Sequence, residues 1–138
     1  MITPDEILSE ARSWIGTPFK HQCRTKGVAS DCIGLLYGVA ENLGLAPDEI
    51  PKDYIGYRPF PDNKKLETNL RFYMKPVRMS QIQPGDVLMM SFTGDPQHVA
   101  FYTGSTIIHA LSTVGKCTEH SLSKKWRSRI CGAFRFRQ

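Results

Sequence analysis

The sequence predicts an α+β fold in which N-terminal helices pack on an antiparallel β-sheet. Three observations point there. Apolar residues recur at helical spacing through the first half of the chain. After Pro76 the period drops to two, as in half-buried strands. Short turn signals such as "TGS" (103–105) then join successive strands, which suits antiparallel pairing. With 138 residues the chain is expected to form one domain, residues 1–138, with no internal repeat, low-complexity tract or linker.

The elements follow in order. "TPDEILSEARSWIG" opens a helix: Thr3 can cap it, Pro4 suits the first position, and Glu6 can close a capping box. Ile7, Ala11, Trp14 and Ile15 fall on one face, and Gly16 can end it. "TPFKHQCRTKGVAS" reads as a loop. A second helix is expected from about Asp31 to Leu43, with Leu35, Leu36, Val39, Ala40 and Leu43 inward and Gly44 as its stop. Residues 45–61, rich in Pro, Gly, Tyr and Asp, read as an ordered loop. "DNKKLETNLRFYMK" (62–75) reads as a third helix that Pro76 stops. "PGDVLMMSF", "HVAFYTG" and "TIIHALS" are expected as consecutive strands, and "WRSRICGAFRFRQ" as a closing one.

Composition narrows the classes. A hydrophobic share of 41% against 22% charged residues is that of a globular protein. No run of about 18 apolar residues is present, so no membrane span is expected. The acidic start "MITPDEILSEARSW" lacks the basic-then-apolar pattern of a signal peptide, which implies synthesis in the cytoplasm. The net charge of +5 is uneven: Lys116, Lys124, Lys125, Arg127, Arg129, Arg135 and Arg137 face Glu119 alone at the C-terminal end. Such a segment is either a solvated face or a surface that attracts a polyanion: nucleic acid, an acidic membrane or an anionic cell-wall polymer. The four cysteines (Cys23, Cys32, Cys117 and Cys131) form no C-x-x-C pair, which weakens zinc-ribbon and thioredoxin-like readings. Cys117 and Cys131 read as small core hydrophobes.

One cysteine stands apart. Cys32 follows Ser30 and Asp31 at the first turn of an amphipathic helix, where backbone N–H groups lack intrahelical partners and a thiolate is stabilised. A helix terminus contributes at most about 2 kcal/mol. Lowering a thiol from about 8.5 to the 3–4 of a histidine-paired cysteine takes several times that, so an adjacent imidazole is needed. His98 opens one apolar strand and His109 lies inside the next, so a hairpin at "TGS" can bring them together across the pair. Nucleophile, base and a third polar group holding the base are the parts of cysteine catalysis.

In this order, "GTPFKHQ…SDCIGLL", "QPGDVLMM", "HVAFYTG" and "IIHAL" resemble the NlpC-type family of papain-like cell-wall cysteine peptidases. The lead-in "TPFKHQCRTKGVASDC" and the tail "WRSRICGAFRF" resemble more narrowly the phage tail and gene-transfer-agent members. The resemblance implies a papain-like fold with Cys32 as nucleophile, His98 as general base and His109 as the residue that orients it. It implies hydrolysis of the D-γ-glutamyl–diamino acid amide of peptidoglycan stem peptides and action at the cell wall or periplasm; delivery by a virion, host lysis and remodelling of a cell's own wall all stay open, with phage tail proteins among the candidate partners. It requires no metal or cofactor. Asp31 matches the acid before the nucleophile, which in the family can meet the substrate's amine, although the position also suits a plain N-cap. Phe19 stands where many members carry a tyrosine near the site, and His21 follows it; both are candidates for lining the cleft.

Three other readings compete. A related papain-like amidase or acyltransferase would use the same cysteine and histidine on another amide or ester. A metal-binding module could draw on His21, Cys23, Cys32, His98 and His109, but only His21-x-Cys23 has ligand-like spacing. A basic nucleic-acid-binding or phage structural protein would use the charged tail and leave Cys32, His98 and His109 without a purpose. Nucleic acid is therefore not expected as a partner.

Overall fold

Helix α1 (Pro4–Arg12) starts where the sequence supplies a cap: Thr3 Oγ1 accepts from Glu6 N at 3.2 Å, and Pro4 occupies the first turn. The computed structural model describes residues 1–45, 65–94 and 96–138. Most of the expected loop 45–61, and residues 62–64 of the expected third helix, lie outside these. Helix α1 buries Ile7, Leu8 and Ala11, and Trp14 follows in a turn. Ile15, expected on the same face, is exposed because the helix ends at Arg12 and the chain turns away at Gly16 (φ 93°).

Two short strands, β1 (Arg24–Thr25) and β2 (Ala29–Ser30), form a small hairpin in the expected loop. Helix α2 (Cys32–Asn42) follows directly. Every residue from Cys32 to Ala40 is buried, so this helix is the centre of the molecule rather than a surface helix with one inward face. Its end is a Schellman motif, with Leu45 N on Ala40 O at 2.8 Å, Gly44 N on Glu41 O at 3.1 Å, and Gly44 at φ 72°. Trp14 packs so closely on Gly38 that no Cβ fits there.

Helix α3 (Lys65–Tyr73) ends before the expected Lys75, and Met74–Val77 forms strand β3. Pro76, expected only as a helix stop, sits within this strand; β3 lies at the sheet edge, where a missing N–H is tolerated. Strands β4 (Val87–Met90), β5 (His98–Tyr102) and β6 (Thr106–Leu111) match the expected ones. A further strand, β7 (Lys116–Ser121), pairs with β6. Its sequence "KCTEHS" has one buried apolar side chain, Cys117, too few to show alternation. The expected closing strand divides: its first residues belong to a short helix α4 (Lys124–Arg127), and β8 spans Ile130–Phe136.

The sheet order is β3-β8-β4-β5-β6-β7, and the pairs are antiparallel. One face, with Val87, Met89, Val99, Phe101, Ile108 and Ala110, packs on α1 and α2 in the main core. The opposite face, with Leu88, Met90, Ala100 and Ile107, is covered by Leu122 and by Trp126 of α4. The chain belongs to the α+β class with a papain-like arrangement of helix and antiparallel sheet. Across the sheet from β7, Asp86 holds Arg135 by two bonds of 2.8 and 2.9 Å. No helix among the described residues is long and apolar enough to cross a membrane.

Candidate active site

The carboxylate of Asp31 organises the helix start. Its Oδ1 accepts from Gly34 N at 2.7 Å, which caps α2. Its Oδ2 accepts from Gln22 N at 2.7 Å, which ties down a turn where Gln22 sits at φ 61°. The same oxygen lies 3.8 Å from His21 Nδ1. The loop is also strapped to the sheet: Gly16 N donates to Cys117 O, Cys117 N to Thr17 O, and Phe19 N to Gly115 O. Phe19, His21, Asp31 and Cys32 are thereby brought to the lining of a cavity of about 290 Å³. Phe92, Gln97, His98, Ala110 and Leu111 line the same cavity. A larger depression of about 520 Å³ near the chain termini is lined by Ile2, Pro4 and Arg135 among others, and by no cysteine or histidine.

The register explains how the histidines meet. Phe101 pairs with Ile108 and Tyr102 with Ile107, so His109 lies opposite Ala100 if the pairing continues, two residues from His98. Positions two apart share a face, and diagonal neighbours reach each other. His98 Nε2 lies 2.7 Å from His109 Nδ1, with the rings at 71°. His109 pairs with Thr118 and Ile107 with His120, so the same diagonal step recurs on β7. His109 Nε2 lies 2.7 Å from His120 Nε2, and His120 Nδ1 lies 3.0 Å from Ser121 O. Trp126 covers this row, its ring 5.0 Å from His109 and 5.1 Å from His120. Arg129 stacks over Trp126 at 4.4 Å and over Phe92 at 4.9 Å.

Burial keeps the paired imidazoles neutral. His98 is pushed down to about 3, first by burial and then by the Arg129 charge. His109 is pushed down to about 2 by burial, with His98 and His120 adding repulsion. Asp31 is raised, because its own burial outweighs the N–H bonds from Gly34 and Gln22. Burial also pushes Cys117 up to about 12 and raises Cys131, so both thiols are poor nucleophiles. Cys131 is exposed on β8 rather than in the core, since the β4–β8 register shifts beside it.

These shifts imply acid lability of known sign. The unfolded chain protonates histidine near 6.5, whereas folded His98 and His109 resist protonation until about 3 and about 2. The unfolded state then binds more protons, so stability is present above 6.5 and falls as pH drops below it, by up to about 1.4 kcal/mol per pH unit for each histidine. Asp31 works in the opposite sense. Urea midpoints between pH 6.5 and 5.5 are expected to fall, and less steeply in His109→Asn. Equal slopes in the two proteins would remove the histidines as the cause.

All six site candidates from the sequence (Phe19, His21, Asp31, Cys32, His98 and His109) gather here, with His109 behind His98 rather than on the cavity wall. Sequence reasoning passed over His120 and Trp126. The spacing held the signal: His98, His109 and His120 are each 11 residues apart. The basic tail is partly consumed by structure: Arg135 binds Asp86, Arg137 donates to Arg71 O and Met74 O, and Arg129 lies on aromatic rings. Lys124, Lys125 and Arg127 stay exposed. Among the described residues no group of three His, Cys, Asp or Glu is placed to hold a metal ion.

A family model described as NlpC/P60 matches residues 16–135. No curated protein sequence matches the chain. Solved structures do. One from Staphylococcus aureus, described as similar to a lipoprotein of the NLP/P60 family, is 21% identical at a TM-score of 0.69, over 98% of this chain and 41% of that one. The NlpC/p60 domain of the peptidoglycan hydrolase SagA is 22% identical at 0.66, over 96% and 98%. The peptidoglycan hydrolase RipB of Mycobacterium tuberculosis is 20% identical at 0.64, over 98% and 65%. The chain thus spans less than half of the first of these and nearly all of the second. At such identities the likeness concerns the fold. The narrower phage-tail resemblance rests on the sequence alone.

Proposed function

The chain belongs to the NlpC/P60 family, and on that premise we propose that it is a cysteine endopeptidase of the bacterial cell wall. In this reading it hydrolyses the D-γ-glutamyl–diamino acid amide of peptidoglycan stem peptides. The observation that carries it is the 2.7 Å bond between His98 and His109, with His98 and Cys32 lining one cavity.

The chemistry follows from which nitrogen is engaged. His98 Nε2 faces His109, which leaves Nδ1 for the thiol. Cys32 Sγ attacks the γ-glutamyl carbonyl carbon as its proton passes to His98 Nδ1. Backbone N–H groups at the start of α2 stabilise the oxyanion. The imidazolium returns its proton to the amine nitrogen, the C–N bond breaks, and an acyl-enzyme remains. His98 then takes a proton from water, which attacks the thioester and releases the acid and the thiol. Phe19, His21 and Asp31, which line the same cavity, receive the substrate. Phe19 packs there without the hydroxyl of the family's usual tyrosine. The exposed Lys124, Lys125 and Arg127 suit an anionic wall polymer, and the site of action is the wall or periplasm, reached by a virion or by lysis.

The test is digestion of purified peptidoglycan with mass spectrometry of the fragments. New amino termini on the diamino acid are expected. Iodoacetamide near neutral pH is expected to label Cys32 ahead of Cys23, Cys117 and Cys131, and labelling is expected to stop the digestion. Fragments cut at another bond would favour the amidase or acyltransferase alternative, and uniform labelling of all four thiols would count against Cys32.

A further inference from the structure

The row of imidazoles does not end at the pair that the mechanism uses. His120 lies beyond His109 on the next strand, and its far nitrogen meets the Ser121 carbonyl at 3.0 Å. A carbonyl oxygen can only accept, so His120 Nδ1 carries a hydrogen. In the neutral ring Nε2 is then an acceptor. It lies 2.7 Å from His109 Nε2, which must therefore donate. That leaves His109 Nδ1 as an acceptor, 2.7 Å from His98 Nε2, which must donate in turn. His98 Nδ1 is then the atom with the free lone pair, the one that can take a thiol proton. A single backbone carbonyl, 23 residues along the chain from His98, thus sets the tautomer of three rings in series.

We infer that His120 is a positioning residue that fixes the tautomer of His98 through His109. This rests on the reading of His98 as base, and deepens it. The alternative arrangement shows what His120 prevents. Without an acceptor at His109 Nε2, the His109 proton is free to move to Nδ1. Nδ1–H would then point at His98 Nε2 and force the His98 proton onto Nδ1. In that tautomer His98 cannot accept from Cys32. Trp126, whose ring covers both His109 and His120, holds the rings in place but supplies no acceptor.

The test compares full-length wild type, His120→Ala and His120→Gln by ¹⁵N NMR of the imidazoles and by kcat on a stem peptide. The wild type is expected to show His98 protonated at Nε2 and bare at Nδ1. His120→Ala is expected to shift His98 toward the opposite tautomer. A nine-to-one shift leaves about a tenth of the enzyme competent and lowers kcat about 10-fold, with KM unchanged. Glutamine places a carbonyl oxygen near the former Nε2, so His120→Gln is expected to restore both the tautomer and most of kcat. Iodoacetamide labelling of Cys32 is expected to slow and recover in parallel. An unchanged His98 tautomer in folded His120→Ala overturns the inference, as does a Gln variant no better than Ala. A wild type that cleaves no peptidoglycan, yet shows the same tautomer response, retires the hydrolase reading and leaves the role of His120 standing.

Discussion

Alanine at Cys32 or at His98 is expected to bring peptidoglycan hydrolysis to background, with a graded loss at His109. In the proposed mechanism Cys32 provides the atom that forms the covalent intermediate, and no other thiol lines its cavity. Cys117 is buried and pushed up to about 12, so it cannot substitute. In that mechanism His98 acts twice, taking the thiol proton and delivering it to the leaving amine. General acid–base catalysis is worth roughly 10²–10⁴-fold, so His98→Ala loses at least that much in kcat. His109 does not line the cavity, and its proposed action runs through His98 Nε2. Asparagine at 109 sets a carbonyl oxygen close to the former Nδ1, where it still accepts from His98. His109→Asn is therefore expected to retain substantial activity and His109→Ala less, with circular dichroism confirming the fold of each. Measured on one defined stem peptide, full activity in His98→Ala would end the assignment. A folded His109→Ala enzyme at the wild-type rate would leave Cys32 and His98 standing and remove the third member.

The parts of this site differ in how openly the sequence carries them. Cys32 was legible because a cysteine beside an N-cap aspartate is unusual on its own. His98 and His109 were legible because they interrupt clearly apolar strands with a turn signal between them. Strand β7 was not, since an edge strand needs little apolar alternation, and "KCTEHS" shows almost none. Losing the strand meant losing His120, although its spacing repeats that of the pair before it. Strand β3 was hidden by Pro76, which reads as a helix stop and is equally at home on a sheet edge. Helix α4, with Trp126 over the histidines, is a single turn held by the Ser123 cap, too short for any period to register. Local chemistry was readable where one residue carried it, and hidden where pairing between distant strands decided it.

Asp31 joins the fold to the candidate site, and its removal is expected to cost stability first. The side chain is fully buried, and each oxygen takes one backbone N–H at 2.7 Å. Loss of an N-cap costs about 0.5–2 kcal/mol. Taking the acceptor from a second N–H in the same buried setting adds about 1–3 kcal/mol. Asp31→Ala is therefore expected to lower stability by about 1.5–5 kcal/mol, read as a lower urea midpoint at unchanged m-value. Asparagine separates the two bonds: its oxygen can keep the cap on Gly34, but its NH₂ then faces the Gln22 N–H, donor against donor. Asp31→Asn should fall between wild type and alanine, with most of its loss at the Gln22 turn. That turn supports the wall formed by Phe19 and His21, so protease cleavage within residues 19–23 is expected to quicken in both variants while the sheet stays protected. If Asp31→Ala is as stable as wild type but binds the stem peptide poorly, the carboxylate serves the substrate's amine, and the two N–H groups find other partners.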